Sequence, residues 1–211
     1  MSERIVAFGE GGLLIELEQR IDPPIAARAA AIADRWEALG HGPAVPTYAA
    51  VLVRFDPLAL DPREAEDAAR GIVATVAEAR PAGTGRTIEV PTRYDGPDLE
   101  ETARLSRLSI EALISAHSGR EYLAYFLGFM PGYAYCGTLD PRIVAPRLAS
   151  PRARVPAGSV GIADGQTAVY PVTSPGGWRL IGRTDVRLWD VRREPPALLA
   201  PGAAVRFVPV R

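Results

Sequence analysis

Proton transfer, metal binding and covalent catalysis can draw on very few side chains in this 211-residue chain. His41 and His117 are its only histidines and Cys136 its only cysteine, and it has neither lysine nor asparagine. Without lysine there is no Schiff base, no P-loop lysine beneath a phosphate and no biotinyl-lysine, so no cofactor is expected to be covalently attached to the chain. One thiol cannot close an intramolecular disulfide. One cysteine and two histidines fall short of the four ligands of a structural zinc site, so no metal site is expected. His117 ends a predicted helix, directly before Ser118-Gly119. It reads either as a helix C-terminal histidine interacting with the last carbonyls or as a general acid/base. His41, in a Gly-His-Gly-Pro loop, reads as exposed.

Arginines and aromatic rings offer more. Pro146-Arg147 and Pro151-Arg152 put two guanidiniums five residues apart on backbone stiffened by proline, a fit to a carboxylate or a phosphate. The stretch from Phe126 to Tyr135 is dense in rings, and Pro131-Gly132 predicts a turn among them. Those rings either pack a core or line a cleft. Ser174-Pro175-Gly176-Gly177-Trp178 carries the Pro-Gly pair of a type II turn, with Trp178 just beyond as a pocket wall or a barrel plug. Ala157-Gly158-Ser159-Val160-Gly161 approaches a nucleophile elbow but is flanked by Pro156 and β-like residues, which favours a tight turn over a serine nucleophile. Gly9-Glu10-Gly11-Gly12 is followed by strand-like alternation and not by a helix, so it reads as a hairpin turn and excludes a dinucleotide loop.

The elements that must carry these groups follow from pattern. Residues 4–8 and 13–18 alternate as strands, Asp22 before two prolines opens a helix with Ile25, Ala29, Ile32, Trp36 and Leu39 on one face, and 47–55 is a strand. Asp61-Pro62 opens a second helix, with Ala65, Ala69, Ile72 and Val76 on one face, running to about Arg80. Pro81–Gly85 reads as a linker between domains at 1–83 and 86–211. A strand at 86–93 follows, then two short helices capped by Asp98 and Ser109. Short β-like runs at 158–163, 167–172, 179–184, 186–190 and 204–210 between Gly/Pro turns predict a barrel or sandwich.

Composition is that of a globular protein, 47% hydrophobic and 23% charged, with 20 glycines and 20 prolines for its turns. The net charge of −1 divides into −7 over residues 1–125 and +6 over 126–211, a solvated fluctuation or a C-terminal part that meets anions. No basic stretch interleaved with aromatics suggests nucleic acid. The longest apolar run, Tyr122–Tyr135, falls short of the ~20 residues a membrane span needs. With no basic leader before an apolar run, a cytoplasmic protein is expected.

The segments GFMPGYAY, PRLASPRARVPAGSVGIADGQTAVYP and SPGGWRLIGRT, in that order, closely resemble the family of the 5-oxoprolinase B subunit. That family includes the KipI inhibitor of a sporulation sensor histidine kinase and proteins labelled allophanate hydrolase subunit 1. His117 before the aromatic segment and PPALLAPGAAVRF near the end also fit, while Leu148 stands where many members carry a second arginine. The resemblance implies an α+β fold, a small N-terminal α+β domain followed by a cyclophilin-like β-barrel of carboxyltransferase type. It implies one component, inactive alone, of an enzyme that hydrolyses the cyclic amide of 5-oxo-L-proline to L-glutamate while the complex consumes ATP. The partners implied are the A and C subunits of 5-oxoprolinase, the latter similar to allophanate hydrolase subunit 2, sharing an active site for a small anionic substrate. The alternatives are a KipI-like kinase-inhibiting module and a component of allophanate hydrolase or urea carboxylase type. Set against this chemistry, His117 is expected to transfer protons, and Arg147 and Arg152 to bind carboxylate or phosphate. Phe129, Pro131, Tyr133, Ser159, Gln166, Tyr170, Pro175, Gly177 and Trp178 are expected at the substrate, with Gly132, Gly158 and Gly176 letting backbone approach it.

Overall fold

The computed structural model describes residues 3–76 and 87–211. The chain divides into two compact units, Met1–Ala82 and Gly83–Arg211. The expected linker Pro81–Gly85 lies outside the described residues, as do residues 77–80, over which the second helix was expected to continue.

In the first unit, β1 (Arg4–Ala7) and β2 (Gly12–Glu16) form a hairpin whose turn uses the left-handed conformation of Gly9, φ +68°. Helix α1 (Pro23–Ala38), β3 (Ala44–Pro46), β4 (Ala50–Arg54) and α2 (Pro62–Thr75) complete it, and the sheet runs β1-β2-β4-β3. Both helices begin on proline, which needs no partner for a first-turn N–H. Asp61 caps α2 by accepting the Arg63 amide, whereas Asp22 makes no such bond for α1. Leu13, Ile15, Val51 and Val53 from the sheet pack with Ile25, Ala29, Ile32, Trp36, Ala65, Ala69 and Ile72 in one core. Leu39, expected on that face, is exposed, because the helix has ended one residue earlier. The strand expected over 47–55 starts only at Ala50, since Thr47 turns back to bond the Ala50 carbonyl with both its amide and its hydroxyl.

The second unit comprises β5 (Thr87–Thr92), α3 (Leu99–Leu105), α4 (Ile110–Ser118), β6 (Tyr122–Leu127), β7 (Ala134–Gly137), β8 (Arg152–Val155), β9 (Ser159–Ala163), β10 (Gln166–Val169), β11 (Ser174–Gly176), β12 (Arg179–Arg183) and β13 (Ala204–Pro209). Seven of the strands form a sheet in the order β12-β9-β10-β7-β6-β13-β5, with β13 and β5 parallel. Its two edges meet where Arg93 and Arg183 exchange backbone hydrogen bonds of 2.9 and 2.8 Å, which nearly closes a barrel. The chain is therefore α+β with a small N-terminal unit and a β-barrel unit, the class that the resemblance implied. Beyond that junction the seam is carried by irregular backbone: the Gly96 and Asp98 amides donate to Ile181 and Leu180. A side chain at Gly96 would collide with the backbone of residues 180–182.

Asp98, expected to cap α3, instead turns its carboxylate to the seam. It accepts the Leu180 amide at 2.7 Å and the Arg152 guanidinium at 2.7 Å. Ser109 caps α4 as expected, accepting the Ala112 amide. The run expected at 186–190 is reduced to one bridge between Trp189 and Ala197, with the Asp190 amide on the Pro196 carbonyl and the Leu198 amide on the Leu188 carbonyl, and Arg193 binds those same two carbonyls from its side chain.

Alternation on the barrel strands sorts two cores. Val160, Ile162, Val169 and Ile181 point inward with Tyr122, Val205 and Phe207. The opposite face offers Ala163, Ala168 and Leu180, on which Tyr133, Tyr170 and Trp178 pack together with Val155 of the separate β8–β11 ribbon. Among the described residues, no helix is long and apolar enough to cross a membrane.

Candidate functional site

The outer face owes its cleft to small residues. Gly161 lies under Trp178 and Tyr170, and any side chain there would press against the Trp178 Cβ and the Tyr170 ring. Ala163 and Ala168 leave further room beside it. At Gly176 a Cβ would fall onto the Tyr170 hydroxyl and ring, so the glycine is what lets the β11 backbone lie against that tyrosine. The rings meet edge to face: Tyr133 stands 5.9 Å from Trp178, 5.3 Å from Tyr170 and 5.0 Å from Tyr135 between ring centres. Above this floor opens a cleft of about 250 Å³, lined by Phe129, Tyr133, Tyr135, Arg147, Pro151, Tyr170, Pro175, Gly176, Gly177 and Trp178.

Eight expected residues thus share one cleft. Tyr135 and Pro151 were missed. Tyr135 stands two residues from Tyr133, a spacing that places both on one face, and that periodicity could have found it. Phe129 is 62% exposed and holds a left-handed backbone, φ +67°, at the tight turn before Pro131-Gly132. That turn forms as expected, but Pro131 and Gly132 do not line the cleft. Gly132 instead rests on Trp189, whose Cβ a side chain would meet at 2.8 Å.

The arginines part company. Arg147 is 60% exposed and its Nε donates to Asp164 at 2.8 Å, which leaves both terminal nitrogens without a partner among the described residues. Arg152 is directed to the seam, 30% exposed, and is bound to the Asp98 carboxylate, which is only 7% exposed. Its expected role in anion binding gives way to closing the barrel, because its charge is already spent on a buried carboxylate. The other terminal nitrogen, Nη1, is buried and has no partner among the described residues.

His117 is wholly buried against Tyr122 and Phe207 and does not line the cleft. The Thr167 hydroxyl donates to the Gly161 carbonyl, so it accepts from His117 Nε2 at 2.9 Å, and Nδ1 then accepts from the Tyr94 hydroxyl at 2.7 Å. Burial pushes the imidazole down to about 3. A neutral ring with both nitrogens engaged has no free lone pair for a substrate proton, so the expected proton-transfer role is corrected to a structural one. Burial likewise pushes the Cys136 thiol up to about 12, too high for a nucleophile.

Gly158 forms the expected tight turn, φ +81°, with its backbone against the Thr184 carbonyl and away from the cleft. Ser159 borders a different depression of about 500 Å³ that also includes Asp95 and Arg183. Gln166 is buried in β10, opposite Ala163 and Gly137, and its Nε2 has no partner among the described residues. Among the described residues, no three His, Cys, Asp or Glu side chains cluster as metal ligands. Within the cleft, burial raises the Tyr133, Tyr135 and Tyr170 hydroxyls above their ordinary value. They remain protonated donors beside one guanidinium, a set suited to a small anion with a hydrogen-bond acceptor.

Residues 3–199 match the family described as the carboxyltransferase domain, subdomain C and D. The chain belongs to that family. Two relatives, each named as the B subunit of 5-oxoprolinase, are 50% identical: that of Bacillus subtilis (strain 168) over 126 residues and that of Escherichia coli O157:H7 over 127. These stretches cover 58% and 59% of this chain and 52% and 58% of the relatives, so the match spans little more than half of either curated protein. Among solved structures, TTHA0988 superposes with a TM-score of 0.83 at 35% identity, covering 95% of this chain and 40% of that one. PH0987 of Pyrococcus horikoshii is 41% identical over 98% of this chain and 97% of its own, with a TM-score of 0.58. The urea carboxylase of Kluyveromyces lactis, at 18% identity and a TM-score of 0.78 over 99% of this chain and 22% of its own, shares the fold.

Proposed function

We propose that this chain is one component of a cytoplasmic, ATP-dependent 5-oxoprolinase that hydrolyses 5-oxo-L-proline to L-glutamate. The observation that carries the proposal is the cleft: a floor of buried aromatic rings, protonated tyrosine hydroxyls and one unspent guanidinium, in a protein 50% identical over the matched stretch to two named as 5-oxoprolinase B subunits. A lactam ring presents a flat apolar face to Tyr133 and Trp178. Its carboxylate suits the free fork of Arg147, and its carbonyl oxygen suits a tyrosine O–H.

Lactams resist attack by water because the nitrogen lone pair is shared with the carbonyl. ATP supplies the driving force: lactam, ATP and two waters give glutamate, ADP and phosphate. This chain contributes binding, orientation and exclusion of water from the ring. A nucleoside triphosphate does not fit the same cleft, since three phosphates call for several cations or a cradle of amides and only one guanidinium is free there. The cleft is therefore kept for the lactam, with the A and C subunits completing the enzyme and this chain inactive alone. The anion-binding set of the proposal is Arg147 with Tyr133, Tyr135, Tyr170 and Trp178.

The test is to purify the chain with the A and C subunits and assay ATP-dependent glutamate release from 5-oxoproline. Release by the complex, and none by the chain alone, is the expected result. An intact complex without release, or inhibition of a sensor histidine kinase in its place, overturns the proposal.

A further inference from the structure

We propose that Asp164 is a positioning residue, which holds the Nε edge of Arg147 so that the paired terminal nitrogens are presented to the cleft as a fork for a substrate carboxylate. This rests on the reading of the cleft as the 5-oxoproline site.

Asp164 and Gly165 join β9 to β10 with φ of +50° and +82°, the conformations of a tight hairpin turn, and aspartate is among the few residues that accept them. The Asp164 amide donates to the Ala145 carbonyl at 2.9 Å, and the Leu148 amide donates to the Gly177 carbonyl at 2.8 Å. The backbone on both sides of Arg147 is thereby fixed, once to the hairpin and once to the cleft wall. Only the side chain stays free, and it is long and exposed. The Asp164 carboxylate, 2.8 Å from Nε, removes that freedom.

Stability does not explain the pair. Its members are 60% and 54% exposed, and ion pairs so open to water add little. Its effect is on direction. With Nε occupied, the side-on edge of the guanidinium is taken, and the remaining bidentate face is the end-on pair Nη1 and Nη2. Arg147 lines the cleft together with Tyr135 and Tyr170.

The experiment uses the reconstituted complex with Arg147→Ala, Asp164→Gly, Asp164→Asn and the double variant Arg147→Ala/Asp164→Gly. Glycine keeps the turn and loses the carboxylate; asparagine keeps the turn and an acceptor oxygen. Asp164→Gly is expected to raise KM for 5-oxoproline about tenfold, with kcat within about twofold, as for the loss of one ground-state contact. Asp164→Asn restores most of that loss, and the double variant is no worse than Arg147→Ala. Titration of 5-oxoproline followed by Trp178 fluorescence, with Trp178→Phe to assign the signal, gives the same ranking without turnover. If Arg147→Ala raises KM and Asp164→Gly does not, or if the two effects add, the positioning role falls while the cleft stands. If neither variant alters KM or the titration, the cleft is not the 5-oxoproline site and both proposals fall.

Discussion

Arg147 and Arg152 begin alike, each directly after a proline and five residues apart, yet they end in opposite regions of the barrel unit. At the seam, Arg152 meets Asp98, a carboxylate so buried that its charge must be compensated by protein. At the cleft, Arg147 meets Asp164 in the open, where water already compensates both charges. The same pair of side chains thus holds the fold together in one place and aims a guanidinium in the other. Burial of the carboxylate partner, and not the arginine's own sequence context, separates the two.

The comparison can be broken most easily at Asp98. Asp98→Ala strands the Arg152 guanidinium and the Leu180 amide inside the seam, and is expected to cost about 3–5 kcal/mol in urea unfolding. A change below about 1 kcal/mol would mean the seam does not depend on the pair. His117 supplies a second interior test, through pH. Its folded value, about 3, lies below the ordinary 6.5, so between those values the unfolded chain binds a proton that the folded chain refuses. Stability is therefore complete above pH 6.5 and falls as the pH drops towards 3, by about 1.4 kcal/mol per unit. Between about pH 6 and 4 this extra slope should vanish in His117→Gln, and an unchanged slope would place the imidazole in water. On the cleft side, Gly176→Ala drives a methyl group into the buried Tyr170 ring and should cost about 1–3 kcal/mol while weakening 5-oxoproline binding. Arg147→Ala is the smallest, below about 0.5 kcal/mol in the same unfolding measurement. A large loss there would erase the contrast between the two arginines.

Much of this was legible in the residues, and the misses share a cause. Helices α1, α2 and α4 were marked by prolines, caps and apolar spacing, and most barrel strands by β-like runs between turns. Asp98 was legible as a residue at a helix start but not as a seam residue, because Leu180 is far along the chain and nothing local announces it. The strand expected at 186–190 shrinks to a single bridge between Trp189 and Ala197, and no apolar alternation announces the Arg193 side chain that braces it on the Leu188 and Pro196 carbonyls. In the cleft, Tyr133, Tyr170, Trp178 and Arg147 could be gathered through the ordered motifs. Asp164 could be read as an Asp-Gly turn, while its contact with Arg147 depends on how β9 and β10 fold back. His117 looked catalytic because imidazoles are scarce here; only three-dimensional packing reveals that Tyr94 and Thr167 occupy both its nitrogens.

The position of β13 between β6 and β5 bears on how the protein is made. The first sheet needs only residues 4–54 and can assemble while synthesis continues. The barrel cannot, because β5 and β6 wait for a strand that leaves the ribosome roughly 80 residues after β6, on the order of several seconds. Throughout that interval the apolar stretch Tyr122–Leu127 has an unpaired edge, open to pairing with other nascent chains. Loss of the last strand would therefore do more than trim the barrel; it would make that interval permanent.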